Sequence, residues 1–336
     1  MNSNSSTYLR RRFLKIAGTT AALWGLGLKA ARAQQTTPQP PQLRIGYQKA
    51  AVNLVILKQQ GVLEKRFPNT RIQWAEFPAG PQLLEALSVG SLEFGLTGDS
   101  PPVFAQAAGK DLLYVGAEPP KPDSSAILVL SDSPIKSLAD LKGRKIALQK
   151  GSSAHYLLVR AVEKAGLQWS DIQPIYLPPA DARAAFERKS VDAWAIWDPF
   201  YAAIELAIKP RALVTGRELS SNNSFYLASR SFATQHGQAL TSVLEELSRA
   251  DAFAQTQRKE TIKLIAEFSG LDAGVVSLFI QRRPKSPVSP LSAATVADQQ
   301  RVADAFLKLG LIPKPIRVSD IVWRPDAARL AQLDRK

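Results

Sequence analysis

RKIALQKGSSAHYLLVRAVEKAG, residues Arg144–Gly166, predicts a strand that runs through a short turn into a helix. Within the first six residues, a short apolar run at 146–148 precedes a glutamine, as expected of a buried strand. From Ser153 onward, apolar residues recur at helical spacing, and a glycine follows the last of them. A strand that feeds directly into a helix is the unit of α/β proteins with parallel sheets.

The same order of strands, turns and helices occurs about 100 residues earlier, beginning with LRIGYQKAA at Leu43. Equivalent residues of the two halves are separated by 99 to 101 positions, as in Gln48 and Gln149, Pro78 and Pro178, and Asp99 and Asp198. We therefore expect two similar α/β lobes, each a mostly parallel sheet flanked by helices. A chance recurrence of α/β architecture is the alternative explanation.

Two polar stretches predict where the chain crosses between the lobes. The first, at 118–143, is rich in Pro and Ser and contains the strand-like run AILVL. The second, at 216–230, contains SFYLAS. These boundaries predict a first lobe at 43–130, a second lobe at 131–222, and a return to the first lobe with C-terminal helices at 223–330.

Residues 1–33 predict an export signal that is cleaved. RRRFLK, Arg10–Lys15, precedes an apolar run at 16–28, and an ARA cleavage site follows at 31–33. The apolar run is shorter than the roughly 20 residues of a membrane-spanning helix. The arginines followed by Phe-Leu-Lys indicate the twin-arginine type, with a general secretory signal as the alternative. Residues 34–42, rich in Pro and Gln, predict a disordered tether.

Composition excludes several classes of function. The chain has no cysteine, which excludes disulfides and thiolate chemistry. The formal charge is +14, of which the signal contributes six basic residues and no acid, so +8 remains, scattered among acids. We find no basic stripe typical of nucleic-acid binding. No pair of histidines has metal-ligand spacing, and no phosphate-binding loop is present, so we expect no metal and no cofactor.

Ligands of parallel α/β sheets bind in the turns at the carboxyl ends of strands. Four such turns of the two lobes would face one cleft, and the turn GSSAH opens a helix whose free N–H groups suit an anion. The opposite turn supplies Thr97 and the N–H groups of Gly98 and Asp99. The candidate residues in the second lobe are Ser152, Ser153, His155, Trp194, Trp197 and Asp198.

Each of these residues also has a structural explanation. The serines would be ordinary helix caps, the tryptophans would pack in the core, and Asp99 and Asp198 would cap their helices. His155 with its serines suggests a hydrolase, but no G-x-S-x-G turn is present, and the histidine follows its serines on one helical turn. We therefore expect no catalytic residues, and His155 becomes a candidate hydrogen-bond donor.

RIGYQK, FPAGPQLLEAL, TGDSPP, QKGSSAHYLL, PADARAAF and VDAWAIWDP together resemble the aliphatic-sulfonate-binding proteins of bacterial ABC importers. The resemblance covers most of residues 43–330. It implies a two-lobed periplasmic binding protein of type II with two crossings, monomeric, which captures an alkanesulfonate for sulfur acquisition. It also implies a membrane permease and an ATPase as partners. Taurine, nitrate or a pyrimidine precursor are the alternative ligands in this fold.

Carried over residue by residue, the resemblance adds Gln48 to the candidate ligand residues given above. Two positions depart from the family pattern. Ala154 and Tyr156 flank His155 where a third serine and often an asparagine are expected, and Ser100 stands where an aliphatic residue is expected. Either departure would alter the preference for the organic tail of the ligand.

Overall fold

The first of two five-stranded sheets combines strands from both ends of the chain. A computed structural model describes residues 39–217 and 219–325. The sheet order is β2-β1-β3-β10-β4, in which β1 pairs in parallel with β2 and β3, and β10 runs antiparallel to β3 and β4. The strands are β1 (Gln42–Tyr47), β2 (Arg71–Glu76), β3 (Phe94–Gly98), β4 (Leu112–Glu118) and β10 (Ser224–Ser229).

The second sheet repeats this plan with the order β7-β6-β8-β5-β9. β6 pairs in parallel with β7 and β8, while β5 runs antiparallel to β8 and β9. The strands are β5 (Ser125–Val129), β6 (Lys145–Leu148), β7 (Gln173–Tyr176), β8 (Ala193–Trp197) and β9 (Arg211–Thr215). The predicted α/β fold with two lobes is confirmed.

Helices follow most of the strands and cover the sheets. The first lobe carries α1 (Val52–Gln60), α2 (Val62–Arg66), α3 (Gly80–Ser88) and α4 (Ser100–Ala107), and the second carries α5 (Ser153–Lys164), α6 (Pro179–Glu187) and α7 (Phe200–Ile208). The C-terminal part contains α8 (Arg230–Gln235), α9 (Gly237–Thr256), α10 (Arg258–Ser269), α11 (Ala273–Arg282) and α12 (Ala293–Lys308).

Strand β5 shows why the second sheet is apolar on both faces. Ile127 and Val129 pack into one hydrophobic cluster, and Ala126 and Leu128 pack into another on the opposite face. Side chains alternate between the two faces of a strand, so a strand with helices on both sides must be apolar throughout. This explains the run AILVL.

The strand pairing corrects the predicted lobe boundary. We predicted a first lobe that extends to residue 130, but β5 lies in the second sheet. The sequence also gave no signal for β9, a partly exposed edge strand. The predicted tether 34–42 is wrong for its last residues, because the carbonyls of Pro40 and Pro41 accept hydrogen bonds from Thr70 Oγ1 and the Arg71 amide. The predicted signal at 1–33 lies outside the described residues.

The two crossings run side by side and are held by a buried cluster of charges, which we call the hinge cluster. The Lys121 amide donates to the Ser221 carbonyl, and Asn222 Nδ2 donates to the Lys121 carbonyl at 3.0 Å. Glu118, at the end of β4, accepts from Lys121 Nζ at 2.8 Å and from Tyr226 OH at 2.7 Å. Arg283 joins the cluster through Glu118, 3.9 Å away, and also pairs at 2.7 Å with Asp251, the last member of the cluster.

The charges within the hinge cluster hold its central carboxylate in the ionised form. Burial would raise the pKa of Glu118, but the charges of Lys121 and Arg283 outweigh that effect and lower it. Without this carboxylate, Lys121 and Arg283 would each lose a negatively charged neighbour. The cluster therefore stabilises the crossings only while Glu118 remains charged.

Replacing Glu118 by Gln should destabilise the protein strongly. The substitution keeps the shape but leaves two buried cations without their shared anion, a loss of about 3–5 kcal/mol in the free energy of unfolding. Urea denaturation of both forms measures the difference. Asp132→Asn, which removes the partner of Lys189 in an exposed pair, is the control that should leave the midpoint unchanged. Equal midpoints for wild type and Glu118→Gln would contradict this prediction.

Candidate ligand-binding site

A cavity of about 70 Å³ lies between the lobes, beside the two crossings. This volume holds about five water-sized groups, enough for a small polar head group. The turns that follow β1, β3 and β8 line it together with the start of α5 and both crossings. The polar and charged lining residues are Gln48, Thr97, Lys121, Ser124, Ser152, Ser153, Asp198, Asn222, Ser224 and Arg283.

The wall formed by the first lobe comes from the turns after β1 and β3. Gln48 lines the cavity and is anchored to β3, because its Nε2 donates to the Leu96 carbonyl at 3.0 Å. Thr97 and Gly98 line the cavity as the last residues of β3. Thr97 Oγ1 donates to the Gly98 carbonyl at 3.1 Å, which fixes the hydroxyl at the end of the strand.

The wall formed by the second lobe is the start of α5. Ser152 occupies the N-cap position, but its hydroxyl donates backward to the Gln149 carbonyl at 2.8 Å and does not cap the helix. Gly151 has a φ of 73°, a left-handed conformation that favours glycine and turns the chain into the helix. The explanation of Ser152 as an ordinary helix cap is therefore wrong, and the positive end of α5 faces the cavity.

The two walls touch, so the cleft is closed over the cavity. A Cβ placed on Gly98 would lie 1.9 Å from Ser153 Oγ, which leaves room for glycine alone while this serine keeps its position. Ser153 also bonds to the side chain of Asp99. A Cβ on Gly151 would lie 3.5 Å from the Phe104 ring of the first lobe. Contacts between these small residues bring the serines close to Thr97.

Three predicted residues lie behind the cavity wall instead of in it. The first is Asp99, which is 1% exposed. Its Oδ1 accepts from Ser100 Oγ at 2.9 Å, and its carbonyl accepts from Gln299 Nε2 at 2.6 Å. Burial raises the pKa of Asp99 to about 6. The residue orders the wall and its side chain does not line the cavity, while the predicted contact of its N–H group with a ligand stays a prediction.

His155 is the second correction. Its ring lies in an aromatic cluster, with ring centres 5.2 Å from Phe306 and 5.3 Å from Trp169. Nδ1 accepts from the Gly151 N–H at 3.2 Å. Burial, with a smaller effect from the charge of Lys150, lowers the pKa of His155 to about 3, so the ring is neutral. The ring points into the apolar contact of α5 with α4 and α12 and does not line the cavity, so this geometry gives no support to its predicted role as a donor to a ligand.

The two tryptophans of β8 lie on opposite faces of the sheet, because side chains alternate along a strand. Trp194 is fully buried and packs on Phe186, with ring centres 6.0 Å apart, so its predicted role in the cavity is wrong. Trp197 lines the cavity and meets Phe200 edge to face at 6.0 Å. Asp198 also lines the cavity, and its Oδ1 accepts from the Ala202 amide at 3.0 Å, as a helix-capping residue does.

Sequence reasoning missed the cations of the site. Lys121 and Arg283, both members of the hinge cluster, line the cavity. Lys121 lies in a crossing that the sequence does identify, and crossings border the cleft in a two-lobed fold, so this residue could have been found. Arg283 comes from the end of α11, about 160 residues after Lys121, and no local pattern connects the two.

A second cavity of about 180 Å³ adjoins the first and shares Gln48, Ala50 and Trp197 with it. Its wall is largely apolar and includes Phe77, Pro78, Pro178, Pro179 and Phe200. Pro78 and Pro178 are equivalent positions of the two halves, and the fold brings them to the same space. An anionic head in the first cavity would therefore have room for an apolar tail in the second.

A larger groove of about 800 Å³ runs beside α5 and α12 on another face. Its lining includes the charged side chains of Arg160, Glu163, Arg301 and Lys308. Arg160 pairs with Glu163 and Arg301 with Asp298, so these charges are largely matched locally. The cavity between the strand-end turns is the better candidate site, since the polar residues there converge on one enclosed space.

Comparison with known proteins agrees with this geometry. Residues 76–261 match the family described as NMT1/THI5 like. A protein of Escherichia coli named putative aliphatic sulfonates-binding protein is 50% identical over 312 residues, which is 93% of this chain and 98% of that protein. The alkanesulfonate-binding protein of Xanthomonas axonopodis pv. citri bound to MOPS has a TM-score of 0.83 and 52% identity, covering 85% of this chain and 99% of that one.

The crystal structure of the periplasmic aliphatic sulphonate binding protein of Escherichia coli has a TM-score of 0.80 and 52% identity, covering 85% of this chain and 93% of that one. These relatives are named as binding proteins. The fold and the enclosed cavity therefore define a two-lobed solute-binding protein. Within that class, the chain belongs to the aliphatic-sulfonate-binding proteins of the NMT1/THI5-like family.

In the described part of the chain, no helix is long and apolar enough to span a membrane, and no group of side chains could hold a metal ion.

Replacing His155 by Phe should change how stability depends on pH. The pKa of His155 is lowered to about 3, below its unfolded value of 6.5, so the unfolded chain binds the extra proton between those values. The contribution of His155 is present above pH 6.5 and is lost as pH falls toward 3, by about 1.4 kcal/mol per pH unit. Denaturation at several pH values should give a smaller slope for His155→Phe. Equal slopes would contradict the buried neutral ring.

Proposed function

We propose that this protein is the solute-binding component of an ABC importer and captures aliphatic sulfonates in the cavity between its lobes. The observation that carries the proposal is the pair Ser152 and Ser153 at the start of α5, held in a closed cavity against Thr97 and Gly98 of the other lobe. The names of the related proteins agree with this assignment.

The lining suits a sulfonate because it is rich in hydrogen-bond donors. A sulfonate has three oxygens, each an acceptor, and remains ionised at any pH at which the protein is folded. The free N–H groups at the start of α5 supply donors to it. The hydroxyls of Ser152, Ser153 and Thr97 would add donors by turning away from the acceptors they bond in this structure, which are the Gln149 carbonyl, the Asp99 carboxylate and the Gly98 carbonyl. Lys121 and Arg283 also line the cavity, and Glu118 and Asp251 balance their charges.

Capture follows from the position of these donors on different lobes. The serines belong to the second lobe, and Thr97 and Gln48 belong to the first, so a ligand contacts its full set of donors only when the lobes close. The closed form then presents a single surface to a membrane permease, and an ATPase drives release. We also propose that the chain is exported to the periplasm, which the signal at 1–33 and the periplasmic relative support.

Alkanesulfonates should raise the melting temperature of the protein after removal of residues 1–33, because a ligand that binds only the folded state stabilises it. Calorimetric titration should show binding, and Ser152→Ala with Ser153→Ala should weaken it by about 1.5–3 kcal/mol for each lost bond to a charged group. Ser137→Ala, at an exposed capping box, is the control. The proposal fails if no sulfonate, including MOPS, shifts the melting temperature.

Affinity should rise with the length of the alkyl chain over the first few carbons. Each methylene that enters the second cavity contributes about 0.8 kcal/mol, or roughly fourfold in affinity. Phe200→Ala enlarges that cavity and should reduce affinity for pentanesulfonate while leaving methanesulfonate nearly unchanged, so the shorter ligand is the internal control. A uniform loss for both ligands would mean that the tail does not occupy this space.

A further inference from the structure

The cavity proposed to hold an anion has a carboxylate in its wall. Asp198 lines the cavity and is 2% exposed. Its Oδ2 is buried and has no hydrogen-bond partner among the described residues. An uncompensated carboxylate at this position would repel a sulfonate, and the repulsion would be strong because charges at a buried position are weakly screened. The wall therefore needs a positive charge directed at Asp198.

Arg282 supplies that charge from across the cleft. Its guanidinium lies 3.2 Å from Asp198 Oδ1, pairs also with Glu205, and stacks over the Tyr201 ring at 3.9 Å from its centre. The side chain of Arg282 is 14% exposed, so the pair with Asp198 is largely shielded from solvent. Three separate contacts hold the guanidinium in one position.

The partners of this arginine lie on α7 or just before it, in the second lobe, where α7 meets the first-lobe core through Ala202. Arg282 ends α11, whose apolar residues Val276 and Phe279 pack in the hydrophobic core of the first lobe. Asp198 follows β8 of the second sheet, and Tyr201 and Glu205 lie on α7. The next residue, Arg283, points the other way and pairs with Asp251 in α9, on the side of the first lobe.

We propose that Arg282 is a positioning residue that neutralises Asp198 across the cleft, so that the closed cavity accepts an anion. The inference rests on the proposed function, since it concerns the same cavity. Its consequence is that the wall becomes compatible with a sulfonate only when the lobes meet, because Asp198 and its countercharge come from different lobes. Closure of the lobes therefore also brings Arg282 to the Asp198 carboxylate.

The other charged groups around Asp198 either share Arg282 with it or pair with a different residue. Glu205 and Tyr201 share Arg282 with it. Lys121 and Arg283 line the same cavity, but Glu118 and Asp251 pair with them. Asp123, on the short helix Pro122–Ser124, pairs with Arg217. Among the described residues, Arg282 is therefore the cation that bonds to the Asp198 carboxylate.

The test is the pH dependence of sulfonate affinity. Burial raises the pKa of Asp198 to about 7, and Arg282 opposes that rise. Removal of Arg282 should therefore shift the protonation of Asp198 to higher pH. In Arg282→Gln, affinity for propanesulfonate should fall by at least about tenfold relative to wild type at pH 9.5, and the difference should narrow at pH 6, where Asp198 is protonated.

Restoring the charge balance should rescue binding. Adding Asp198→Asn to Arg282→Gln removes the carboxylate and should return affinity at pH 9.5 to within about threefold of wild type. Arg282→Lys keeps the charge and should retain most of the affinity. Arg183→Gln, which breaks an exposed pair with Glu187 in α6, is the matched control and should bind as wild type does.

Two outcomes overturn the inference while leaving the proposed function standing. One is wild-type affinity in Arg282→Gln at pH 9.5, and the other is a loss of equal size at both pH values that Asp198→Asn does not reverse. Failure of the wild-type protein to bind any sulfonate would instead refute the proposed function. Far-ultraviolet circular dichroism of each variant confirms that it is folded before titration.

Discussion

The rest of the structure depends on one constraint. Each sheet contains an antiparallel strand that the chain reaches by crossing over from the other lobe. β5 leaves the first lobe and inserts between β8 and β9, and β10 returns to insert between β3 and β4. Both crossings are thus anchored at each end by hydrogen-bonded ladders, and they lie side by side at Lys121 and Asn222. The two lobes are therefore joined along this line, and the cavity lies beside it.

Charge is arranged around that line in two layers. The hinge cluster of Glu118, Lys121, Arg283 and Asp251 is buried and internally balanced, which burial of ions requires. Asp198 and Arg282 form the second layer, between the lobes. The first layer belongs to the fold in either state of the cleft, whereas the second can be complete only in the closed one. The residues that hold the crossings together are therefore different from the pair whose contact depends on closure of the cleft.

The sequence was informative wherever the signal was local. Strand-to-helix turns and the near-constant offset between the halves predicted two α/β lobes, and Gln48, Thr97, Gly98, Ser152, Ser153, Trp197 and Asp198 do line one cavity. Asp99, His155 and Trp194 were misplaced because a motif identifies a turn but not which side chains face outward. The choice between Trp194 and Trp197 depends on strand phase, and His155 turns inward because Phe104 and Phe306, distant in sequence, offer it an aromatic contact. Tertiary packing alone brings Arg283 to the cavity and Arg282 to Asp198.

Because the binding groups are divided between the lobes, affinity here is a property of closure more than of any single contact. The open cleft would offer a ligand the serines at the start of α5, or Thr97 with Gln48, but not both. A ligand shifts the equilibrium only by as much as it prefers the closed form. The close approach of Gly98 to Ser153 and the small first cavity, about 70 Å³, favour ligands with a small head group. The adjoining apolar space is more permissive, since its walls of proline and aromatic side chains make few directional demands. Selectivity should therefore reside in the head group and breadth in the tail, which is the division that a scavenger of varied compounds sharing one anionic group requires.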